Sequence, residues 1–386
     1  MTPSITVPGS PSVAVPDGVP GTRNGISPGT APGVSPATVG PDGAGLHLRI
    51  VSPAMPTLSY LPDRVRRAER ALTAAGYTFS YGANAFQVAA DGITAGTPAQ
   101  RAADVMAAFA DPSVDAILAA DAGLGTRDIL DRLDAATIAA NPKPFIGYCD
   151  NVFLNQYLAS VAGIGSLYGC TLMVHLGEAG GAYPETLDHL GRALSGAGPL
   201  ACPPMPSRTG EVIDWYVPER ESRPRRRLPG GWTWLRPGAG RGPFLGGEIT
   251  LIPELVRSFG MSLDGAVLFW DVSYHRLPVP PLFEKLCESA DLGRLAGMVV
   301  GAHPLVPDGE WAATVAGLLD RHLPWADFPV LANADLSHLC PSWTVPFGAE
   351  AVLASPGGLV FPRGHDAAGP VAAPAVPAAR TAASGR

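Results

Sequence analysis

The sequence lacks the features of a membrane or secreted protein. Its 386 residues contain no run of about eighteen uninterrupted apolar residues, so no membrane span is expected. The N-terminus has no cationic segment followed by an apolar run, which argues against a signal peptide. The five cysteines are odd in number and irregularly spaced, so they do not indicate a disulfide framework. We therefore expect a reducing, cytoplasmic location and no membrane partner.

Positive charge is also scarce. The formal net charge is -7, and the only concentrated basic run is Arg223 to Arg227. Nucleic-acid binding needs a broad positive face. No DNA or RNA partner is therefore expected, and the basic run is typical of a solvated loop.

Large apolar residues are scarce at both ends of the chain but plentiful between them. Residues 1–45 and 366–386 are rich in Pro, Gly, Ala and small polar residues and cannot offset chain entropy by burial, so we expect two disordered tails. The overall hydrophobic fraction of 46% supplies two packed cores. We expect an N-terminal α/β domain over 46–195, a Pro- and Arg-rich linker over 196–245, and a C-terminal domain over 246–365.

Apolar runs alternate with helical patterns between the tails. This alternation predicts an α/β fold with two domains: an N-terminal parallel sheet flanked by helices, and a smaller C-terminal α/β domain rich in strands. Strands are expected at 48–51, 116–120, 144–148, 266–270, 297–301, 329–332 and 349–354, and helices at 61–75, 98–110, 127–133, 151–161 and 311–319.

Cys149 lies where a short strand turns into a helix, in the segment FIGYCDN. Free N–H groups at a helix start stabilise an anion, so the thiol pKa could fall from about 8.5 toward neutrality or below. Gly147 permits a tight turn, but Asn151 stands where the G-x-S-x-G elbow has its second glycine. The residues alone leave two interpretations open, a nucleophile or a small buried apolar residue.

Several segments together resemble the LD-carboxypeptidase family, which includes the microcin-C immunity peptidases. The turn Ala122–Gly125 stands for the family's Gly-Gly-Tyr-Gly, GYCD ending at Asp150 for its Gly-Tyr-Ser-Asp, and Tyr168-Gly169 for its His-Gly. The other similar segments are IVSPA (50–54), AGTPAQRAADVMAAFADPSVDAILAA (95–120), GWTWLRPGAGRGPFLGG (231–247), LFWD (268–271), DLSH (335–338) and VPFG (345–348). The resemblance covers roughly residues 46–365.

The resemblance implies a catalytic triad. The family's serine, glutamate and histidine fall on Cys149, Asp271 and His338. In the family the nucleophile belongs to the N-terminal domain and the other two residues to the C-terminal domain, so the site would form between them. The resemblance also implies oxyanion donors at the N–H groups of Asp150 and of Gly123 or its neighbour, and a homodimer.

Three positions near the site depart from the family pattern. Glu248 replaces an asparagine, Asp121 replaces an arginine, and Ala122 replaces a glycine. Negative side chains facing the pocket would repel the carboxylate of a usual peptide substrate. These changes indicate a shifted substrate preference within the range of small molecules, peptides and acyl thioesters.

Two functions from different classes fit these residues. In the first, Cys149 attacks a carbonyl, His338 carries the proton and Asp271 orients the imidazole, which gives a hydrolase or acyltransferase working through a thioester without a cofactor. In the second, the chain has lost catalysis and binds a peptide or nucleotide-like ligand. His275 and His303 rank second as the base.

A metal site is not expected. Cys170, His175, His338 and Cys340 could form a cluster, but their spacing matches no zinc pattern.

Overall fold

The structure is a computed structural model that describes residues 45–209, 211–274 and 277–363, with two short strands nearer the N-terminus. Apart from those strands and Gly45, the predicted disordered tails lie outside the described residues. The strands are β1 (Ser4–Ile5), β2 (Val13–Ala14), β3 (His47–Val51), β4 (Thr78–Tyr81), β5 (Ala116–Ala119), β6 (Phe145–Gly147), β7 (Ser166–Tyr168), β8 (Leu200–Cys202), β9 (Ser207–Thr209), β10 (Arg227–Pro229), β11 (Thr233–Arg236), β12 (Ala239–Glu248), β13 (Val267–Asp271), β14 (Gly297–Gly301), β15 (Val330–Ala334), β16 (Val345–Phe347), β17 (Glu350–Ala354) and β18 (Gly358–Phe361).

The α-helices are α1 (Thr57–Tyr60), α2 (Pro62–Ala74), α3 (Pro98–Ala110), α4 (Ala135–Ala140), α5 (Val152–Tyr157), α6 (Pro184–Ser195), α7 (Pro218–Glu221), α8 (Ile252–Phe259), α9 (Val279–Ser289) and α10 (Asp308–His322). Short 3₁₀ helices occur at Thr126–Arg132, Cys149–Asn151 and Leu292–Arg294, and π-helical turns at Leu158–Ala162 and Leu172–Leu176. Within the described part of the chain, none of the helices is long and apolar enough to cross a membrane.

The first domain is built on a six-stranded sheet with the order β16-β7-β6-β5-β3-β4. Strands β3 to β7 are parallel, and β16 joins antiparallel at one edge. All four residues of β5 are buried. Burial on both faces explains why these strands read as unbroken apolar runs.

The second domain is built on an eight-stranded sheet with the order β11-β15-β14-β13-β12-β17-β18-β8. Its centre, β12 to β15, is parallel, while β11, β17, β18 and β8 pair antiparallel. The two sheets with their helices confirm the predicted two-domain α/β fold.

Local signals set the helix boundaries. Thr97 and Gln100 form a capping box at the start of α3, with Pro98 in the first turn, and α3 has the predicted bounds. The helix expected at 127–133 is instead a 3₁₀ helix. Asp134 explains its end, because the carboxylate of Asp134 accepts the N–H of Ala136 and so starts α4.

Strand exchange ties the two domains together. β16 follows β15 in sequence yet pairs with β7 of the first sheet, and β8 pairs with β18 of the second. The segment 196–245, expected as a linker, contains β8 to β11 and most of β12. The expected domain boundaries themselves stay predictions.

Candidate active site

Cys149 lies at the sharp turn between β6 and α5. Its φ is +50°, a left-handed conformation that costs a non-glycine residue about 1–2 kcal/mol. Gly147 makes the turn possible, because a Cβ on this glycine would lie 2.7 Å from the Cβ of Asn151. Strand, strained residue and helix thus form a nucleophile elbow without its second glycine.

Side chains hold this elbow in place. The N–H of Thr126 donates to Oδ2 of Asp150 at 2.9 Å, and Nδ2 of Asn151 donates to the Thr126 hydroxyl at 3.1 Å. Nδ2 of Asn155 donates to the carbonyl of Gly147 at 3.2 Å. The carboxylate of Asp150 is therefore engaged at Thr126, and only its backbone N–H is left for the expected oxyanion role.

His338 and Asp271 form a buried pair. Nδ1 of His338 lies 2.5 Å from Oδ2 of Asp271, with side-chain exposures of 3% and 2%. Asp271 ends β13, and His338 lies in the loop between β15 and β16. Nε2 of His338 makes no hydrogen bond of ordinary geometry with the described residues. Nε2 is therefore the ring nitrogen that can exchange a proton with a neighbouring group.

The Cys149 thiol meets this imidazole, although the two residues come from different domains. Burial raises the pKa of Cys149 above its ordinary value, and the lowering effect of His338 does not reverse it. This direction is opposite to the one expected from the helix start. Burial lowers the pKa of His338, but Asp271 and the Cys149 thiolate outweigh it and raise that pKa well above its usual value. As a residue Cys149 is partly exposed.

The turn after β5 lies beside the elbow. Leu118 of β5 pairs with Ile146 of β6. Asp121 follows Leu118 by three residues, and Cys149 follows Ile146 by three residues. Asp121 is buried, and its Oδ1 accepts the N–H of Ala122 at 2.8 Å. Burial raises the pKa of Asp121 to about 6. The N–H of Ala122 is thus occupied in this structure.

Gly123 and Glu248 complete the predicted surroundings of the thiol. Gly123 has a φ of +105°, and a Cβ on it would lie 2.1 Å from the sulfur of Met55, so this turn requires glycine. Glu248 ends β12 and is buried, and its carboxylate accepts the N–H of Thr250 at 2.9 Å. Its negative charge contributes to the raised pKa of Cys149.

Three tyrosines also surround the site, and sequence analysis assigned none of them a role. The N–H of Cys149 donates to the Tyr168 hydroxyl at 3.1 Å. The Tyr148 ring lies 5.0 Å from the ring of His338, and the Tyr274 hydroxyl donates to the carbonyl of His338. Tyr148 and Tyr168 lie within segments that resemble the family motifs. That position was the only feature of the sequence that could have indicated a role for them.

A buried ionic group joins the segment between β9 and β10 to the first domain. Glu178 accepts from Arg64 and, at 2.7 Å, from Nε of Arg225. Glu221 lies 3.1 Å from Arg64. The run 223–227 was expected to be solvated, but Arg225 is buried because its chain folds back onto Glu178.

His303, one of the two alternative bases, does not join the triad. His303 packs 4.7 Å from the Trp311 ring, and His275 lies outside the described residues. His175 is buried, accepts the N–H of Thr171 at 3.0 Å, and has its pKa lowered to about 3 by burial. Among the described residues, no group of three or more His, Cys, Asp or Glu side chains is arranged to hold a metal ion.

Two family models match the chain. The LD-carboxypeptidase N-terminal domain matches residues 48–169, and the LD-carboxypeptidase C-terminal domain matches residues 241–353, together more than half of the chain. The chain belongs to the LD-carboxypeptidase family. The family consists of serine-type carboxypeptidases, which hydrolyse peptide bonds.

Similar proteins agree with this family assignment. A Streptomyces coelicolor protein named as a carboxypeptidase is 29% identical over 67% of this chain and 75% of its own length. The microcin C7 self-immunity protein MccF of Escherichia coli is 25% identical over 67% of this chain and 76% of its own.

Solved structures share the LD-carboxypeptidase fold. An MccF-like protein from Bacillus anthracis has a TM-score of 0.72 and 21% identity, covering 82% of this chain and 97% of its own. MccF in complex with aspartyl sulfamoyl adenosine has a TM-score of 0.71 and 22% identity, covering 82% and 95%.

Proposed function

We propose that this family member is a cysteine-nucleophile enzyme that cleaves an amide or peptide bond through a thioester acyl-enzyme. The observation that carries the proposal is the meeting of three groups across the domain boundary. Cys149 lies on a strained elbow of the first domain beside His338, whose Nδ1 is hydrogen-bonded to Asp271 of the second. This is the arrangement of nucleophile, base and orienting carboxylate.

The first half-reaction transfers the acyl group to sulfur. The thiol proton moves to Nε2 of His338 as sulfur bonds to the carbonyl carbon, and the negative charge passes to the carbonyl oxygen. When the intermediate collapses, the carbon–nitrogen bond breaks and the imidazolium gives its proton to the leaving amine. Asp271 stabilises the imidazolium between these steps.

Backbone N–H groups would hold the oxyanion. Asp150 supplies one at the start of the turn, and Gly123 supplies a second from the neighbouring strand end. Ala122 does not serve in this arrangement, because Asp121 already takes its N–H. The two N–H donors thus follow the ends of two adjacent parallel strands, β6 and β5, and the nucleophile follows the end of β6.

The second half-reaction determines the product. Water would give a hydrolase, consistent with the peptidase family. An amine would give an acyltransferase, because thioesters undergo aminolysis more readily than oxygen esters do. Glu248 adds negative charge beside the thiol, and Asp121 adds a carboxylate at the end of the neighbouring strand, so both disfavour a substrate with a free carboxylate next to the scissile bond.

Intact-mass spectrometry tests the proposal. The full chain is incubated with L,D-linked peptides, with the same peptides amidated at the C-terminus, and with aminoacyl thioesters. We expect a mass increase equal to the acyl group, located on Cys149, which is absent in Cys149→Ala. Cys287→Ala is the matched control, since Cys287 is the other partly exposed thiol in the described chain.

The outcomes separate the two functions. An adduct on Cys149 that decays in buffer alone supports a hydrolase, and one that decays only when an amine is added supports an acyltransferase. Saturable ligand binding without any adduct, unchanged in Cys149→Ala, would replace the enzyme with a binding protein. Full turnover by Cys149→Ala on any substrate would remove the nucleophile assignment.

A further inference from the structure

Tyr168 reaches the nucleophile from the strand next to it. Tyr168 ends β7 and pairs with Gly147 of β6, so its side chain lies beside the elbow. Its ring is buried and packs 4.7 Å from the ring of Phe269 in the second domain. Its hydroxyl oxygen accepts the N–H of Cys149 at 3.1 Å. The residue with the strained backbone is therefore held through its own N–H.

The phenol retains a proton to donate. A tyrosine hydroxyl can accept and donate at once. Oδ1 of Asp271 is buried and has no hydrogen-bond partner among the described residues, so the phenol proton does not go there. Burial, followed by the charges of Asp271, Cys149 and Glu248, raises the pKa of Tyr168 well above its ordinary value, which keeps the phenol protonated.

We propose that Tyr168 is a positioning residue of the nucleophile: its hydroxyl oxygen holds the N–H of Cys149, and its O–H donates a hydrogen bond to the thiolate as that charge develops. The inference rests on the function proposed above. The family motif has histidine at this position, so the thiol and its tyrosine partner are both departures from that pattern. A neutral donor offsets part of the desolvation that otherwise disfavours a buried thiolate.

Other groups also face the thiol and set its titration. They are the imidazolium-forming His338, the acidic Asp271 and Glu248, and the phenols Tyr148 and Tyr168. Of these, only Tyr168 contacts the backbone of Cys149 directly through a hydrogen bond described here. Removing the Tyr168 hydroxyl leaves the charged groups around Cys149 unchanged. A change in the pKa of Cys149 can then be assigned to the lost hydrogen bond.

The test is the pH dependence of Cys149 alkylation in the full chain. Iodoacetamide labelling of Cys149 is followed by peptide mass spectrometry from pH 6 to 10.5, with Cys287 as the internal reference. Tyr168→Phe keeps the ring that packs on Phe269. The matched control is Tyr157→Phe, which also loses a buried hydroxyl, one that donates to the carbonyl of Leu133 at 3.0 Å.

We expect Tyr168→Phe to raise the apparent pKa of Cys149 by about 1–2 units, because a hydrogen bond to a charged group is lost. Labelling at pH 7.5 should then slow by roughly 10- to 100-fold. Tyr157→Phe should match the wild type, and Cys287 should label equally in all three proteins, which shows that they are folded.

Two results would overturn the inference. One is a Tyr168→Phe profile that overlays the wild type; the other is an equal shift in Tyr157→Phe, which would assign the effect to any lost hydroxyl. Failure of the proposed function looks different. If the wild-type chain forms no acyl adduct, the proposed reaction is refuted. The shift of the Cys149 pKa in Tyr168→Phe would still measure the contact between Tyr168 and Cys149.

Discussion

Replacing Glu178 by glutamine tests whether the buried ionic group supports the fold near the site. Its carboxylate faces Arg64 and Arg225, and none of the three side chains is more than 3% exposed. Removing one partner of a buried ion pair costs about 3–5 kcal/mol, because a buried charge is left uncompensated. Arg64 keeps Glu221, so we expect the lower end of this range, about 3 kcal/mol.

Urea unfolding followed by tryptophan fluorescence measures this cost. With a slope of about 3 kcal/mol per molar urea, the midpoint should fall by about 1 M. Asp188→Asn is the matched control. It makes the same chemical change in a pair with Arg192 whose side chains are 64% and 43% exposed, and should cost less than about 0.5 kcal/mol.

The position of the segment between β9 and β10 provides a second readout. Arg225 fixes this segment to Glu178, so Glu178→Gln should release Arg225, the buried member of the run 223–227, and speed cleavage by trypsin there. Equal urea midpoints for Glu178→Gln and Asp188→Asn would refute the reasoning about burial. A lowered midpoint with unchanged cleavage would refute the anchoring of the segment.

Three further predictions concern the triad, the elbow and pH. Asp271→Asn should slow acyl-adduct formation by about 10⁴-fold, since an amide cannot stabilise the His338 imidazolium; rapid-quench mass spectrometry would show this, and a near-normal rate would exclude the orienting role. Gly147→Ala should abolish iodoacetamide labelling of Cys149, because the new methyl group collides with Asn151 in the elbow. Gly317→Ala, in open space within α10, should leave the labelling unchanged and raise the free energy of unfolding by up to about 1 kcal/mol. Burial lowers the pKa of His189 to about 4, so the unfolded chain takes up a proton near pH 6.5 before the folded chain does. The contribution of the neutral His189 ring to the free energy of unfolding is therefore complete above pH 6.5 and falls by about 3 kcal/mol toward pH 4. Urea titrations at several pH values should show this loss in the wild type and not in His189→Gln.

The parallel sheets could be predicted because their strands are buried on both faces. β5 and β14 read as short apolar runs, and their neighbours alternate with helical patterns. The segment 196–245 could not be read in this way. Its strands β9 to β11 are three or four residues long, and all three residues of β10 are exposed, so these strands show no period.

The candidate site was only partly visible in the sequence. The motifs indicated Cys149, Asp271 and His338, because each stands in a segment similar to the family pattern. The contacts of Tyr168 and Arg225 depend on how distant segments fold together, which a pattern of neighbouring residues does not encode. Burial, which decides the direction of the Cys149 pKa shift, likewise appears only once both domains are in place.

A thiol can replace the serine of this family only if the charge made during proton transfer is compensated inside the site. Burial by itself disfavours the Cys149 thiolate, and burial by itself also disfavours the His338 imidazolium. Transfer of one proton from sulfur to Nε2 creates both charges together and leaves the net charge of the triad unchanged. Asp271 stabilises the imidazolium from one side, and a donor such as Tyr168 would stabilise the thiolate from the other. The pKa of His338 is raised as well, so the imidazole is a stronger base toward this thiol, and the reaction proceeds from the form in which the ring is neutral.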